Sequence, residues 1–134
     1  RNRLGFALSD ITQHLPGAFL IYKADPENDQ ILFANQELVT YAGCKDLDEF
    51  MQYSKHSFRN LIRSDEQEAV EKSIWQQIQS QAAGTNDFVQ FHFVKKDGST
   101  HPVLDHGRIV ESNYYGNVFY VLIMDCQLLD EHYN

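Results

Sequence analysis

The side chains best placed for chemistry are Asp105 and His106, which are adjacent in a segment that alternates as a β-strand does. A carboxylate beside an imidazole is the pair that many enzymes use for general acid–base catalysis. Successive residues of a strand point to opposite faces of the sheet, however, so these two side chains cannot act at one site. A small α+β enzyme built on this pair is therefore the weakest of the functions considered.

Histidines and cysteines give no sign of a metal or redox site. No two of the six histidines are spaced as HxxH or HxxxH, and the two cysteines, Cys44 and Cys126, are far apart in the chain. So few cysteines indicate a reducing compartment, and we expect a cytoplasmic protein without disulfides. Cys44 directly follows Gly43, which favours a small buried packing residue over a reactive thiol.

Charge and length narrow the range of partners. Nineteen acidic residues against eleven basic ones give a formal charge of -8. Such a surface repels phosphates and anionic lipids, so we expect neither nucleic-acid binding nor direct membrane contact. The 134 residues suffice for one domain with its own core, and the longest apolar run, 118–124, is too short to cross a bilayer. Because the chain opens at Arg1 without a signal peptide, we expect a piece of a longer protein.

The register of one hairpin decides which side chains face the interior. Asp97-Gly98 is typical of a two-residue turn, here between strands predicted at 88–94 and 101–110. In that register the inner face consists of Val89, Phe91, Phe93, Pro102, Leu104 and His106, and the outer face of Gln90, His92, His101 and Asp105. His106 is then the one ionisable group on an apolar wall. It is either a neutral core histidine with a hydrogen bond or a polar anchor for a small ligand.

The remaining pattern is that of an α+β domain. An apolar stripe predicts an N-terminal amphipathic helix within residues 1–16, formed by Leu4, Leu8, Ile11 and Leu15 and ended by Pro16-Gly17. Strands are also predicted at 18–24, 30–34 and 117–125, and helices at 36–42, 46–53 and 65–82. A capping box, Ser64 with Gln67, starts the last helix, and Trp75 lies on the flank of its apolar stripe.

One strand predicts a covered outer face and a homodimer. Residues 118–124 are apolar at every position, so both faces of this strand should be buried. The core helices can cover only one face. We expect the N-terminal stripe to cover the other, either from the same chain or from a second copy.

Five short motifs resemble those of PAS domains, the small sensory modules of signalling proteins. They are Leu-Pro-Gly-Ala-Phe at 15–19, Phe-Ala-Asn-Gln-Glu-Leu at 33–38 followed by Gly43, Ile-Arg-Ser-Asp-Glu at 62–66, Lys-Asp-Gly-Ser at 96–99 and Val-Leu-Ile-Met-Asp at 121–125. The resemblance implies a five-stranded antiparallel sheet in the order 2-1-5-4-3, with helices on one face around a pocket. It places the PAS domain at 17–125 and a connector at 126–134. Two departures are Pro102, where the family often has an aromatic residue, and Asp125-Cys126-Gln127 in place of Asp-Ile-Thr.

The resemblance also implies a function. It indicates a non-catalytic sensory module of a bacterial signalling protein, which binds a small ligand or a partner and relays the signal to a C-terminal output domain such as a diguanylate cyclase or a histidine kinase. The candidate pocket residues are Trp75, Phe91, Phe93, Leu104 and His106. The alternative is a ligand-free homodimerisation module whose nine Phe and seven Tyr fill its own core. No cofactor is predicted, because 65–82 lacks the histidine of haem-binding members and the Asn-Cys-Arg motif of flavin-binding members does not occur.

Overall fold

Five antiparallel strands form a single sheet in the order β2-β1-β5-β4-β3, which confirms the predicted topology. This computed structural model describes residues 5–80 and 84–133, with side chains as far as residue 131. The strands are β1 (Ala18–Lys23), β2 (Ile31–Ala34), β3 (Asn86–Val94), β4 (Thr100–Ser112) and β5 (Gly116–Asp125). The helices are α1 (Leu8–Gln13), α2 (Gln36–Tyr41), α3 (Leu47–Ser54), α4 (Gln67–Ser80) and α5 (Cys126–Tyr133), with 3-10 turns at Phe58–Leu61 and Ser64–Glu66.

The core lies between the helices and one face of the sheet, which we call the inner face. Helix α2 packs against β1 and α4 packs against β3. Period-two alternation sends Leu20 and Tyr22 of β1 to this face, where both are at least 95% buried. The largest fully buried side chains are Phe50, Phe58, Phe93, Phe119, Leu20, Ile31, Leu38, Leu61, Ile62, Val39, Val103 and Val121.

Asn35 joins three elements at one end of the sheet. It is the N-cap of α2, and its side-chain oxygen accepts hydrogen bonds from the backbone N–H groups of Leu38 and Phe19 at 3.1 and 3.0 Å. Its amide nitrogen donates to the carbonyls of Thr12 and Gly17, both at 3.0 Å. All four of these bonds come from a side chain that is fully buried. Asn35 therefore fixes α1 and α2 relative to the start of β1.

The start of α4 differs from the predicted capping box. Ser64–Glu66 form a 3-10 turn, and the α-helix begins only at Gln67. The Gln67 amide donates to the carbonyls of Arg59 and Ile62 at 3.2 Å instead of reaching back to Ser64. Those carbonyls belong to the preceding 3-10 turn, so Gln67 ties that turn to α4. The predicted end of this helix near Ala82 lies outside the described residues.

The β3–β4 hairpin has a three-residue loop, and the predicted two-residue turn is wrong. Gly98 N–H donates to the Lys95 carbonyl at 2.9 Å, and Lys95 N–H donates to the Ser99 carbonyl at 2.9 Å. Gly98 has a φ of 88°, so a type I turn followed by a left-handed residue replaces the primed turn. The extra loop residue shifts the register by one. Phe91 consequently opposes Val103, and Val89 opposes Asp105.

This shift exchanges the two faces of β4. Pro102, Leu104 and His106 lie on the outer face, so their predicted places on the inner wall are wrong. His101 and Asp105, predicted on the outer face, lie on the inner one. Strand β3 keeps its predicted faces, because the error affects only the strand that follows the loop.

The N-terminal helix does not cover the outer face of its own sheet. Leu8 is 81% exposed and Ile11 is 43% exposed. Helix α1 spans six residues and is held at the N-terminus of α2, where the Gln36 N–H donates to the Gln13 side chain. Leu15, beyond the helix, is the member of the stripe that reaches the outer face, in a shallow hollow with Phe19, Tyr120 and Leu122. Leu4 lies outside the described residues.

Candidate functional site

A cleft of about 370 Å³ opens between α4 and the β1–β2 turn. Its apolar wall consists of Tyr22, Phe58, Ile74 and Trp75. Tyr22 belongs to the inner face of β1, whereas Ile74 and Trp75 belong to α4. The cleft therefore lies beside the core, at the edge of the inner face of the sheet.

Aromatic rings form the floor of this cleft. Tyr22 stacks on Phe58 with ring centroids 4.2 Å apart and an interplanar angle of 5°. Phe119 lies 5.1 Å from the Tyr22 ring and meets Trp75 edge to face at 5.5 Å. Such pairs stabilise beyond the burial of their area. Trp75 is half-buried, and as the only tryptophan of the chain it is a single optical reporter at this site.

The rim of the cleft carries mostly negative charge. Its acidic residues are Asp25, Asp29, Glu68 and Glu71, and its basic residue is Lys72. Arg59 lies nearby and pairs with Glu71, its Nη2 atom 3.2 Å from the carboxylate. Burial raises the pKa of Glu71. The cleft therefore presents a negative potential to an approaching solute.

Two aspartates are buried beneath the sheet without hydrogen-bond partners. Asp87 of β3 and Asp105 of β4 are each 1% exposed. None of their four carboxylate oxygens has a hydrogen-bond partner within residues 5–80 and 84–133. The strand pairings Asp87–Gly107 and Val89–Asp105 place the two acids as diagonal neighbours on the inner face. An unpaired buried carboxylate costs several kcal/mol, roughly, so this pair requires an explanation.

Gly107 makes room for one of the two acids. A Cβ atom at position 107 would lie 2.6 Å from Oδ2 of Asp87, closer than atoms can pack. The Asp87 carboxyl therefore rests directly on the backbone of β4. Only glycine at this position leaves space for that arrangement.

Burial changes the protonation of these groups. It raises the pKa of Asp87 to about 6. The pKa of Asp105 is raised well above its ordinary value, first by burial and then by the charge of Asp87. The pKa of the Tyr22 phenol is also raised, by burial and then by Asp105, Asp87, Asp29 and Glu71. The phenol thus lies within electrostatic reach of both the rim and the buried pair.

The residues predicted to line a pocket are divided between the two faces. Trp75 lines the cleft, and Phe91 and Phe93 are buried on the inner face. Leu104 and His106 are on the outer face, where His106 stacks on Phe88 at 4.4 Å and its Nε2 lies 3.0 Å from Oδ1 of Asn86. The predicted register of β4 placed Asp105 on the outer face, so the buried acids were not expected. Extended to Arg108, the same register would have placed an arginine on the apolar wall, which is a sign that it was wrong.

A second polar cluster lies where the last strand leaves the sheet. Asp125 accepts a hydrogen bond from the Tyr41 hydroxyl at 2.7 Å, and its carboxylate lies 3.9 Å from Nδ1 of His101. The same carboxylate caps α5 by accepting from the N–H groups of Gln127 and Leu128 at 2.8 and 3.2 Å. One side chain therefore links α2, β4 and β5 to the C-terminal helix.

The cysteines and the helices exclude some alternatives. Cys44 is buried at the end of α2, and burial raises the pKa of its thiol, which disfavours the nucleophilic thiolate. Among the residues that the structure describes, no three His, Cys, Asp or Glu side chains are grouped as a metal site requires. Across the same ranges, no helix combines the length and the apolarity needed to span a bilayer.

Solved structures with the same fold are PAS and light-sensing domains. A PAS domain from Desulfitobacterium hafniense has a TM-score of 0.61 at 14% identity, covering 84% of this chain and 95% of that one. A PAS domain from a two-component sensor histidine kinase has a TM-score of 0.65 at 12% identity, covering 87% and 91%. The LOV domain of the blue-light photoreceptor Aureochrome1 has a TM-score of 0.62 at 19% identity, covering 96% and 100%.

These identities are low, and the fold is what they share with this chain. None of the curated proteins matches it. The family model of the PAS fold, in contrast, matches residues 31–123. This match spans more than half of the chain and includes four of the five strands. The chain therefore belongs to the PAS fold family.

Proposed function

We propose that this chain is a non-catalytic sensory domain of a cytoplasmic signalling protein, and that it binds a small ligand in the cleft between α4 and β1. The observation that carries the proposal is the aromatic floor of a cleft of about 370 Å³ beside the core. A pocket of that volume with apolar walls and few polar groups suits a small molecule.

The proposed relay runs through Asp125. A ligand that alters packing on the inner face changes the positions of β4 and β5, and Asp125 joins both strands to α5. We propose that residues 126–134 begin the connector to an output domain. A diguanylate cyclase and a histidine kinase are both candidates, and a structural relative that is a histidine kinase PAS domain supports the second.

The proposal is tested by asking whether the protein carries a molecule. Native mass spectrometry of the chain purified from its own cells should show a retained small molecule. Adding that molecule to protein freed of it by dialysis should change the fluorescence of Trp75, the only tryptophan in the chain. A retained molecule that leaves the Trp75 emission unchanged would place the binding site elsewhere.

A second candidate is a homodimerisation module with a self-filled core. Its specific support is the outer face of the sheet, where Tyr120, Leu122 and Met124 are 41–46% exposed. We propose that a second copy covers this face, and that the N-terminal stripe of Leu4, Leu8, Ile11 and Leu15 contributes to the same interface. A dimer that retains no small molecule and binds none would favour this candidate over ligand sensing.

A further inference from the structure

We propose that the ligand is a compact organic nitrogen cation with several N–H donors, of the amidine, guanidine or amine class, and that Asp87 and Asp105 receive it. This inference rests on the proposed sensory function and specifies the chemistry of its ligand. Two observations carry it. One is the pair of buried acids without partners on the inner face, and the other is the negative rim of the cleft that opens onto the same face.

The first observation is the set of four carboxylate oxygens that accept no hydrogen bond within the described part of the chain. Once ionised, these oxygens can only accept, so a ligand that displaces their protons must donate. Unsatisfied buried groups of this kind call for an explanation, and a bound ion or ligand is one that also accounts for the acidic cleft. A planar amidinium or guanidinium presents two parallel N–H donors, which is the geometry that carboxylates bind most strongly.

The second observation is the field around Tyr22. Asp29 and Glu71 of the rim and the buried Asp87 and Asp105 all act on the same phenol. The rim carboxyls lie on the solvent side of the phenol, and the buried pair lies on its core side. A cation entering the cleft is attracted along this whole path, whereas an anion is repelled at every point.

The walls of the cleft also suit a cation. Tyr22, Phe58 and Trp75 supply aromatic faces beside the acidic rim. A cation within about 6 Å of such a face is stabilised by the ring quadrupole. Aromatic walls and buried carboxylates together form the usual environment of a bound organic cation.

A metal ion fits these residues less well. Zinc and calcium sites need at least three protein ligands, and no group of three His, Cys, Asp or Glu side chains is found in the described ranges. An organic cation supplies its own donors and requires only acceptors. Two carboxylates are sufficient for it.

The geometry also predicts which side chains move. Strand pairings place Asp87 one row along the inner face from Tyr22 and three strands across the sheet, and Asp105 two rows along and two strands across. A ligand that enters at the cleft therefore has to pass the rings of Tyr22 and Trp75 to reach the pair. Displacement of the half-buried Trp75 should accompany binding.

The test uses the whole chain and probes matched in shape. Benzamidine is a cation, benzamide is its neutral counterpart and benzoate its anionic one; agmatine and histamine add cations of other shapes. Binding is followed by titration calorimetry and by Trp75 emission. We expect at least one cation to bind ten-fold or more tightly than benzamide and benzoate, and to change the Trp75 emission.

Variants connect the binding to the acids. Asp87→Asn and Asp105→Asn keep the shape of the side chains and should each weaken the bound cation at least ten-fold. Asp48→Asn removes an exposed carboxylate on α3, outside the cleft, and should change the affinity by less than two-fold. Because burial raises the pKa of Asp105, cation binding should also release protons, seen as a binding enthalpy that depends on the buffer.

Several outcomes would overturn this inference. Among them are failure of all three cations to bind, equal or tighter binding of benzamide or benzoate, and unchanged affinity in both buried-acid variants. Native mass spectrometry separates its failure from that of the proposed function. A retained neutral or anionic molecule would contradict the cation and keep the sensory domain, whereas neither a retained molecule nor any binding would contradict both.

Discussion

The two buried aspartates are the residues whose presence the fold alone explains least. Each is 1% exposed, and neither finds a hydrogen-bond donor among the described residues. Such groups reduce the stability of the ligand-free protein. Residues that lower stability are most often found where a protein binds or reacts, because there the loss is offset by function. The burial of Asp87 and Asp105 therefore leads to two predictions about the free energy of unfolding, neither of which depends on a ligand.

The first prediction concerns pH. The pKa of Asp87 is about 6 in the folded protein, so the folded state holds this proton more tightly than the unfolded state does. Its stabilising contribution is complete below pH 4 and is lost as the pH rises through 6. The expected loss is about 3 kcal/mol in the free energy of unfolding. Asp105 should add to it in the same direction.

Urea denaturation of wild type and Asp87→Asn between pH 4 and 7 measures this effect. The variant should be the more stable protein at pH 7, and the advantage should shrink toward pH 4, where the wild-type carboxyl is protonated. Asp48→Asn makes the same change of charge at an exposed site and should follow the wild type. An Asp87→Asn protein that is less stable than wild type at pH 7 would show that the carboxylate has a partner in solution.

The second prediction concerns the contact between Asp87 and Gly107. Gly107→Ala should lower the free energy of unfolding by about 1–3 kcal/mol, because the new methyl group would lie 2.6 Å from Oδ2 of Asp87. In an Asp87→Ala background the same substitution should cost less than about 0.5 kcal/mol, since the carboxyl is gone. Equal costs in the two backgrounds, measured by urea denaturation, would refute the contact.

Among the elements, α5 is joined to α2 by a single carboxylate. Asp125 both caps α5 and accepts from Tyr41 of α2. Burial, and then the hydrogen bond to Asp125, raises the pKa of the Tyr41 phenol well above its usual value, and the same hydrogen bond lowers the pKa of Asp125 against the effect of its own burial. Helix α5 is therefore linked through Asp125 to α2 as well as to β5.

The third prediction follows from this connection. Tyr41→Phe removes the hydroxyl that fixes Asp125 and should increase amide hydrogen exchange in α5 by roughly three- to ten-fold, which corresponds to about 1 kcal/mol of local stability. Tyr114→Phe removes a hydroxyl from a residue that is 85% exposed and should leave the exchange of α5 unchanged. If α5 exchanges at the same rate in all three proteins, it is not coupled to α2 through Asp125.

The elements also show what the sequence could predict. Alternation in β3 and the continuous apolar run of β5 predicted two of the strands, and together with the family resemblance they led to the correct sheet. The register of β4 was not recoverable in the same way, because Lys-Asp-Gly suits both a two-residue turn and a three-residue loop. Strand β4 could not decide between them either, since polar and apolar residues occur on both of its faces.

The candidate site was harder to predict than the fold. Trp75 was predicted as a pocket residue because it flanks the apolar stripe of α4, and that stripe can be recognised from the sequence of one helix. Asp87 and Asp105 come from two strands, and their meeting depends on the register that the sequence left ambiguous. A buried acid also contradicts the rule by which an interior is recognised from sequence. Residues of this kind become visible only when the strands are paired.

At the scale of the whole molecule, the outer face of the sheet is the surface on which the proposed dimer depends. Tyr120, Leu122 and Met124 are partly exposed there, and Phe88, two strands away on the same face, is 49% exposed. The formal charge of -8 opposes the approach of a second copy, so self-association should strengthen as salt screens that repulsion. Apolar contact and charge repulsion thus act against each other on the same molecule.

The fourth prediction is that the protein forms a dimer through this face. Equilibrium sedimentation at high micromolar concentration should show a dimer for wild type and a monomer for Leu122→Glu, because a charge would be buried in the interface. Tyr114→Glu places the same charge in the β4–β5 turn, away from the outer face, and should remain dimeric. A wild-type protein that sediments only as a monomer would refute the dimer.

The three-residue loop between β3 and β4 has a consequence for how such a domain could diverge. Removing one residue from the loop favours the shorter turn, in which Leu104 and His106 would face inward and Asp105 outward. A single in-frame deletion at the surface would thus exchange a buried carboxyl for an imidazole without any substitution in the strand. In descendants of such a sequence, the length of this loop would then influence which ligand is bound. A comparison of loop lengths would therefore be as informative as a comparison of the residues on the inner face of the sheet.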